Sequence, residues 1–374
     1  MATVQTTCYR LAREEGGRIL WFDEAGHVAY GSEWIERDQT EDGALELELE
    51  SFRRETVTFP HGEHLLAGDL SLPAGSPPYP AVVFVHGSGP ASRHDYDFGS
   101  GRAARDEILR RGFATFIWSK PGIDESTGDY LEQSMEQRAG EVLAAMARLA
   151  ERADIDGDRI GLLGGSQAGW VMPMVPAHRS VAFVIAIACP SQTGLEQTLY
   201  LADNELIRIG IPDEQRADAR ERVRALLDTM RVGVDFEEFL RGREAWLAEV
   251  KQRPWYPPVE THLDDLVLLN FLLSTIDRRE FGFVSTAFSN DAPPRVESLH
   301  MPVLAIYGSN DTVVDWRLGV KAYEEIPRIV GNPDVTVRLF EGADHGMMVP
   351  DSEGYNELAP GYLATLGEWL AEHR

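Results

Sequence analysis

Residues 160–170 read Ile-Gly-Leu-Leu-Gly-Gly-Ser-Gln-Ala-Gly-Trp, an apolar run that breaks on two glycines ahead of Ser166 and continues into a helical pattern. An apolar strand that turns sharply into a helix can lift one side chain clear of a sheet, provided that the residues two before and two after it are small. Gly164 and Ala168 hold those two places. Alanine at the second place departs by one methyl from the commoner glycine. Gly169 adds the expectation that the helix start packs closely against a neighbour. By itself such a run is also how any glycine-rich strand end looks, so its meaning depends on the elements around it.

Those elements alternate. A buried-strand run over 81–85 ends in His86-Gly87-Ser88-Gly89-Pro90. The pattern then predicts a helix over 102–111 stopped by Gly112, a strand over 113–118, a long amphipathic helix over 133–152, the strand 159–163 that feeds Ser166, and a strand over 181–188. Strands separated by helices of this length predict an α/β domain, with a mostly parallel sheet and helices on both faces. Ahead of them, an alternating stretch around His61-Gly62 predicts an antiparallel hairpin. Residues 1–54 read as a β-rich N-terminal extension, with short apolar pieces at Ile19-Leu20-Trp21-Phe22 and Val28-Ala29-Tyr30.

The rhythm breaks at residues 191–296, where helical patterns follow one another over 195–209, 213–230, 236–250 and 264–276. Gly210 as a stop and Pro212 as a start are ordinary helix punctuation. A helical stretch of this length between two sheet strands reads as a lid inserted into a core formed by 55–190 and 297–374. The sheet resumes over 301–308 and again over 335–340, with helices over 316–326 and 361–373.

Charge narrows the function classes. The 374 residues contain 61 Asp plus Glu against 35 Lys plus Arg, a net charge of −26, which repels nucleic acid and anionic lipid surfaces. A small-molecule substrate is therefore expected, with no nucleic-acid or membrane partner; a homodimer through the lid or the extension stays open. Cys8 and Cys189 are too few and too far apart for a disulfide framework or a metal-ligand cluster, so no metal is expected. The first residues lack a basic stretch followed by an apolar run, so a cytoplasmic location is the expectation.

Three chemistry-bearing residues each follow a strand. Ser166 follows the strand 159–163, Asp311 follows 301–308 and His345 follows 335–340, and in an open parallel sheet the carboxyl ends of the strands are the edge where sites form. A serine hydroxyl becomes a useful nucleophile when an imidazole removes its proton, and that imidazole needs a carboxylate to set its tautomer. Asp315 and Asp344 compete with Asp311, which is preferred for sitting on the turn directly after its strand. An oxyanion needs two N–H donors. Gln167 supplies one at the elbow; the glycine-rich turn supplies the other from Ser88, with Gly87 as the alternative. His86 reads as a structural brace for that turn. Trp170, Trp255 and Tyr256 are candidates for lining a substrate pocket, although helical spacing fits Trp170 to core packing as well.

His86-Gly87-Ser88-Gly89, Gly164-Gly165-Ser166-Gln167-Ala168-Gly169, Gly308-Ser309-Asn310-Asp311 and Asp344-His345-Gly346 together resemble the α/β-hydrolase superfamily over roughly residues 55–374, and bacterial esterase and dienelactone-hydrolase-like members with a helical insertion in particular. Lys120-Pro121-Gly122-Ile123-Asp124 also resembles the family's loop after the following strand. The resemblance implies an eight-stranded, mainly parallel sheet, a Ser–His–Asp triad and no cofactor. The expected activity is hydrolysis of an ester, thioester or lactone of a moderately apolar small molecule through an acyl-enzyme. Alternatives are hydrolysis of a carbon–carbon bond in a diketone-like substrate, or a small-molecule receptor with a silent triad.

Overall fold

The structure, a computed structural model, describes residues 10–13, 19–22, 52–97, 99–231, 235–257, 267–273, 278, 281–282, 292–350 and 356–374. In the N-terminal extension β1 (Arg10–Arg13) pairs antiparallel with β2 (Ile19–Phe22); the run Val28-Ala29-Tyr30 lies outside the described residues. The main chain of the fold then follows: β3 (Arg53–His61), β4 (His64–Leu72), β5 (Tyr79–Val85), α1 (Gly99–Arg110), β6 (Ala114–Trp118), α2 (Met135–Ala150), β7 (Ile155–Gly165), α3 (Ala168–Val171) and β8 (Val184–Ile187). Helices α4 (Gly194–Arg208), α5 (Asp213–Arg231), α6 (Phe236–Val250) and α7 (Val267–Leu273) come next. The chain closes with β9 (Val303–Gly308), α8 (Trp316–Val330), β10 (Val335–Phe340), a small ribbon of β11 (Met348–Pro350) and β12 (Asn356–Leu358), and α9 (Tyr362–Glu372).

One eight-stranded sheet organises these elements, in the order β10-β9-β8-β7-β5-β6-β4-β3. The strands from β5 to β10 pair in parallel, and β4 alone runs against its neighbours β6 and β3. The hairpin expected around His61-Gly62 is the β3–β4 pair. β5 is buried along its whole length because helices cover both faces of the sheet. Its alternation shows in the packing: Ala81, Val83 and Val85 join a cluster with Val142 and Met146 of α2, whereas Val82 and Phe84 join one with Ile108 of α1 and Leu366 of α9. A capping box between Ser134 and Gln137 starts α2 where the apolar stripe begins.

The largest boundary differences from the sequence reading are at the start of β7 and the end of α8. β7 begins at Ile155 rather than near 159, because its first residues pair with the start of β5. α8 continues past Pro327 to Val330, where the 316–326 reading stopped. Proline in the last turn forfeits one hydrogen bond, while Ile326 and Val330 still bury their side chains against the core, and Gly331 ends the helix in a left-handed cap.

The helical insertion between β8 and β9 builds its own apolar cluster, from Leu199 and Leu206 of α4, Val223 and Leu227 of α5, Phe239 of α6 and Leu269 of α7, with Trp255 from the loop after α6. Of the expected helix over 264–276, the described part is α7. Two side chains of α4 tie the insertion to the loop after β9: the Tyr200 hydroxyl donates to the Asp311 carbonyl (2.9 Å) and Gln197 Nε2 to that of Val313 (2.8 Å). Among the described residues no helix is long and apolar enough to cross a membrane.

At the carboxyl edge the backbone is tightly packed. Gly308, the last residue of β9, has no room for a side chain: a Cβ there would lie 2.2 Å from the Ala343 carbonyl oxygen and 2.6 Å from that of Asp344. The loop after β10 is thereby drawn over the end of β9. On the other side of the edge His86 is buried, with Nε2 donating to the carbonyl of Trp118 and its ring edge-on to the indole. Burial first and then the nearby Lys120 push its pKa down to about 3, against the upward pull of the Trp118 carbonyl, which exceeds the remaining downward contribution of Arg138.

Gly308→Ala is expected to cost about 1–3 kcal/mol, because two backbone carbonyls must give way to the added methyl; urea denaturation measures it. His86 also makes a pH signature. The unfolded chain protonates this imidazole near pH 6.5 and the folded chain only near pH 3, so between those values the unfolded state binds more protons. The stability that His86 contributes is complete above about pH 6.5 and is lost as the pH falls toward 3, with a slope of up to about 1.4 kcal/mol per pH unit. Denaturation curves at pH 7, 5 and 4 are expected to show a shallower acid loss in His86→Gln than in the parent protein.

Candidate active site

Ser166 stands one residue past β7 with φ 53°, a left-handed conformation that side chains rarely adopt. Such a position costs on the order of 1–3 kcal/mol and persists only where its surroundings over-determine it. Here the Ser166 amide donates to the Ile187 carbonyl of β8 (3.0 Å) and the Ser166 carbonyl accepts from the Gly169 amide (2.9 Å). The off-pattern alanine also finds its explanation. A Cβ on Gly164 would sit 2.5 Å from the Ala168 methyl, so the space that one residue leaves empty is filled by the other. Gly169 packs as expected: a Cβ there would lie 2.7 Å from that of Cys189, just past β8. Ala188 (φ 48°) and Met347 (φ 60°) are likewise left-handed, so strained backbone gathers at this edge of the sheet.

Asp311 and His345 are in contact. His345 Nδ1 lies 2.8 Å from Asp311 Oδ2, while Asp311 Oδ1 accepts the amides of Val313 (2.8 Å) and Val314 (2.9 Å). Both carboxylate oxygens are thus engaged, and the side chain has no solvent exposure. The acceptor at Nδ1 sets the imidazole tautomer, so Nδ1 carries the proton and Nε2 is left basic. The His345 side chain keeps 28% of its surface exposed, which leaves room for a reacting molecule. The competing aspartates have other partners: Asp315 accepts the Arg317 amide as the α8 cap, and Asp344 accepts the amides of Gly346 and Met348.

Ser166 shares an edge with this pair. β8 separates β7 from β9, which places the strand ends about 10 Å apart. The Ser166 hydroxyl makes no hydrogen bond among the described residues, and such contacts commonly tighten only when a substrate binds.

The His86–Pro90 turn adjoins the elbow: a Cβ on Gly87 would lie 3.6 Å from that of Ser166. Among the described residues the backbone amides of Gly87, Ser88 and Gln167 donate no hydrogen bond. Behind this turn lies a polar cluster that the sequence reading missed. Lys120 Nζ donates to the carbonyls of Gly87 (2.7 Å) and Gly89 (2.8 Å). Arg138 donates to the carbonyls of His86 and Gly87 and to the Gln167 side chain. Glu141 accepts from Trp118 Nε1 and Gln133 Nε2. All three ionisable groups are buried, and burial is the first cause of every shift: Glu141 is pushed up to about 7, Arg138 down to about 10 and Lys120 well down. The sequence held a signal for two of them. Arg138 and Glu141 fall on the apolar stripe of α2 marked by Met135, Ala139, Val142 and Met146, where a charge is out of place.

The two tryptophans expected to line a pocket are buried, one in each of two apolar cores. Trp170 is 5% exposed within the main core and donates Nε1 to the Gln192 carbonyl (2.9 Å). Trp255 is 1% exposed in the core of the helical insertion and donates Nε1 to Asp218 (2.7 Å). Both indoles are large apolar groups with one satisfied donor, which is a packing role. Tyr256 is half-buried against the same insertion core. A groove of about 420 Å³ between the start of α4 and α8, lined by Gln192, Thr193, Glu196, Leu318, Lys321 and Glu325 among others, includes none of Ser166, Asp311 and His345. Among the described residues no cluster of His, Cys, Asp and Glu could hold a metal ion.

The chain is similar to known proteins. Esterase EstD of Thermotoga maritima is 26% identical over 237 residues, which are 62% of this chain and 54% of that protein, so the match spans about half the length of this curated relative. Among solved structures, a hypothetical protein from Pseudomonas aeruginosa superimposes with a TM-score of 0.54 at 18% identity, covering 91% of this chain and all of the other. A Pyrococcus furiosus esterase does so with 0.51 at 16% identity, over 92% and 99%. At such identities these structures speak for the fold alone. The profile of the alpha/beta hydrolase family matches residues 82–358, well over half of the chain. With its eight-stranded sheet, strained elbow and Asp–His pair, the chain belongs to the alpha/beta hydrolase family.

Proposed function

We propose that the protein is a serine hydrolase that cleaves an ester, thioester or lactone bond of a moderately apolar small molecule. The observation that carries this reading is the Asp311–His345 contact of 2.8 Å on the same sheet edge as a left-handed Ser166. In this reading Ser166 Oγ attacks the acyl carbon while His345 Nε2 takes its proton, and the amides of Gln167 and Ser88 receive the negative charge that develops on the carbonyl oxygen. His345 then returns the proton to the leaving oxygen or sulfur. Water, deprotonated by the same nitrogen, releases the acid from Ser166 and restores the site. Asp311 stays ionised throughout, holding the Nδ1 proton and stabilising the imidazolium.

The ester preference is drawn from the esterase that this chain matches in part. The helical insertion α4–α7 is read as a lid that selects the substrate, because its first helix sits directly against the Asp311 loop through Tyr200 and Gln197.

With a panel of p-nitrophenyl esters, thioesters and lactones, Ser166→Ala is expected to lower kcat by at least about a thousandfold and Asp311→Asn by about a hundred- to ten-thousandfold, with small changes in KM. A fluorophosphonate probe is expected to label Ser166 and to leave Ser166→Ala unlabelled. Retained hydrolysis in Ser166→Ala, or labelling at another serine, would sink the reading.

A further inference from the structure

We propose that Lys120 and Arg138 are positioning residues that orient and polarise the peptide between Gly87 and Ser88, making the Ser88 amide, rather than that of Gly87, the second oxyanion donor. The inference deepens the serine-hydrolase reading and rests on it.

The geometry of a trans peptide carries the argument. Its C=O and N–H lie in one plane and point in opposite directions, so whatever grips the oxygen aims the hydrogen. The Gly87 carbonyl and the Ser88 N–H belong to one peptide unit. That carbonyl accepts from Lys120 Nζ at 2.7 Å and from Arg138 at 3.0 Å, so both of its lone pairs are occupied by basic side chains. Donors at the oxygen draw electron density from the nitrogen, which makes the N–H at the far end a stronger donor. The neighbouring peptide, which carries the Gly87 N–H, has one such contact, from Arg138 to the His86 carbonyl. The doubly held unit is the Ser88 unit.

The same guanidinium joins the two halves of the hole. One arm of Arg138 holds the His86 and Gly87 carbonyls after β5, and the other holds the Gln167 side chain, whose own amide is the first donor at the elbow after β7. A planar fork suits this task, because its nitrogens keep a fixed separation and so transmit the position of one turn to the other. Lys120 adds a second anchor on the turn through Gly89.

Stability does not account for this arrangement. Two basic groups are withdrawn from water within hydrogen-bonding distance of one carbonyl, and their downward pKa shifts record what burial costs them. Apolar residues of similar volume commonly serve a core as well or better than buried ions. A cluster held against that cost beside a reactive edge has a functional explanation in the oxyanion donors.

Lys120→Gln tests this directly, because the amide can still donate to a carbonyl but carries no charge. Arg138→Lys keeps a charge and loses the fork. For each variant, kcat and KM on p-nitrophenyl butyrate, the second-order rate of Ser166 labelling by a fluorophosphonate, and the melting temperature are measured alongside Ser166→Ala. Removing a whole oxyanion donor costs about a hundred- to a thousandfold in kcat, so weakening one is expected to lower kcat and the labelling rate together, by about 10- to 100-fold in Lys120→Gln and about 3- to 10-fold in Arg138→Lys. KM is expected to stay within about twofold. A folded Lys120→Gln or Arg138→Lys with parental kcat and labelling rate overturns the inference, as does a loss that appears in KM alone. Should one variant fail to fold, the other decides the same question by the same readouts. Activity retained in Ser166→Ala would instead overturn the serine-hydrolase reading itself.

Discussion

A serine in a left-handed backbone is held against its own preference, and the candidate site lies beside that restraint. Ser166 sits at φ 53° because its amide is tied to Ile187 on one side and its carbonyl to Gly169 on the other, while the bare Gly164 lets the following helix close down through Ala168. The first of those contacts requires that β7 and β8 be neighbours in register, as Gly165 opposite Ile187 shows. The strain at Ser166 is therefore sustained in part by the pairing of these two strands.

A second dependence runs across the sheet edge. The close contact of Gly308 with the backbone at Ala343 and Asp344 draws the loop after β10 over β9, and that crossing lets His345 reach Asp311. The carboxylate is already held by two amides of its own loop, and the helical insertion grips the same loop from outside through Tyr200 and Gln197.

Much of this was legible in the residues. Short continuous apolar runs and the helices between them indicated the parallel sheet, and the placement of Ser166, Asp311 and His345 just after strands indicated a shared edge. The end of α4 and the start of α5 followed from Gly210 and Pro212, whose effects are local. Less was legible where a side chain has two compatible roles. Trp170 and Trp255 carry the same indole whether they meet a ligand or a core, and only the surrounding atoms show that both are buried with their N–H groups satisfied. Arg138 and Glu141 were visible as charges on an apolar stripe, yet nothing in the sequence says which carbonyls they meet.

The sequence by itself determined the class of fold, the sheet edge and the residue types available there, because these depend on short-range periodicity, turn chemistry and chain order. The tertiary structure decided which of three nearby aspartates holds the imidazole, why an alanine is accepted in the elbow, and which buried cations stand behind the Gly87–Ser88 peptide. The first and the last of those are contacts between atoms distant along the chain. Their distances are set by sheet register and by the crossing of loops over strand ends, and no local pattern encodes them.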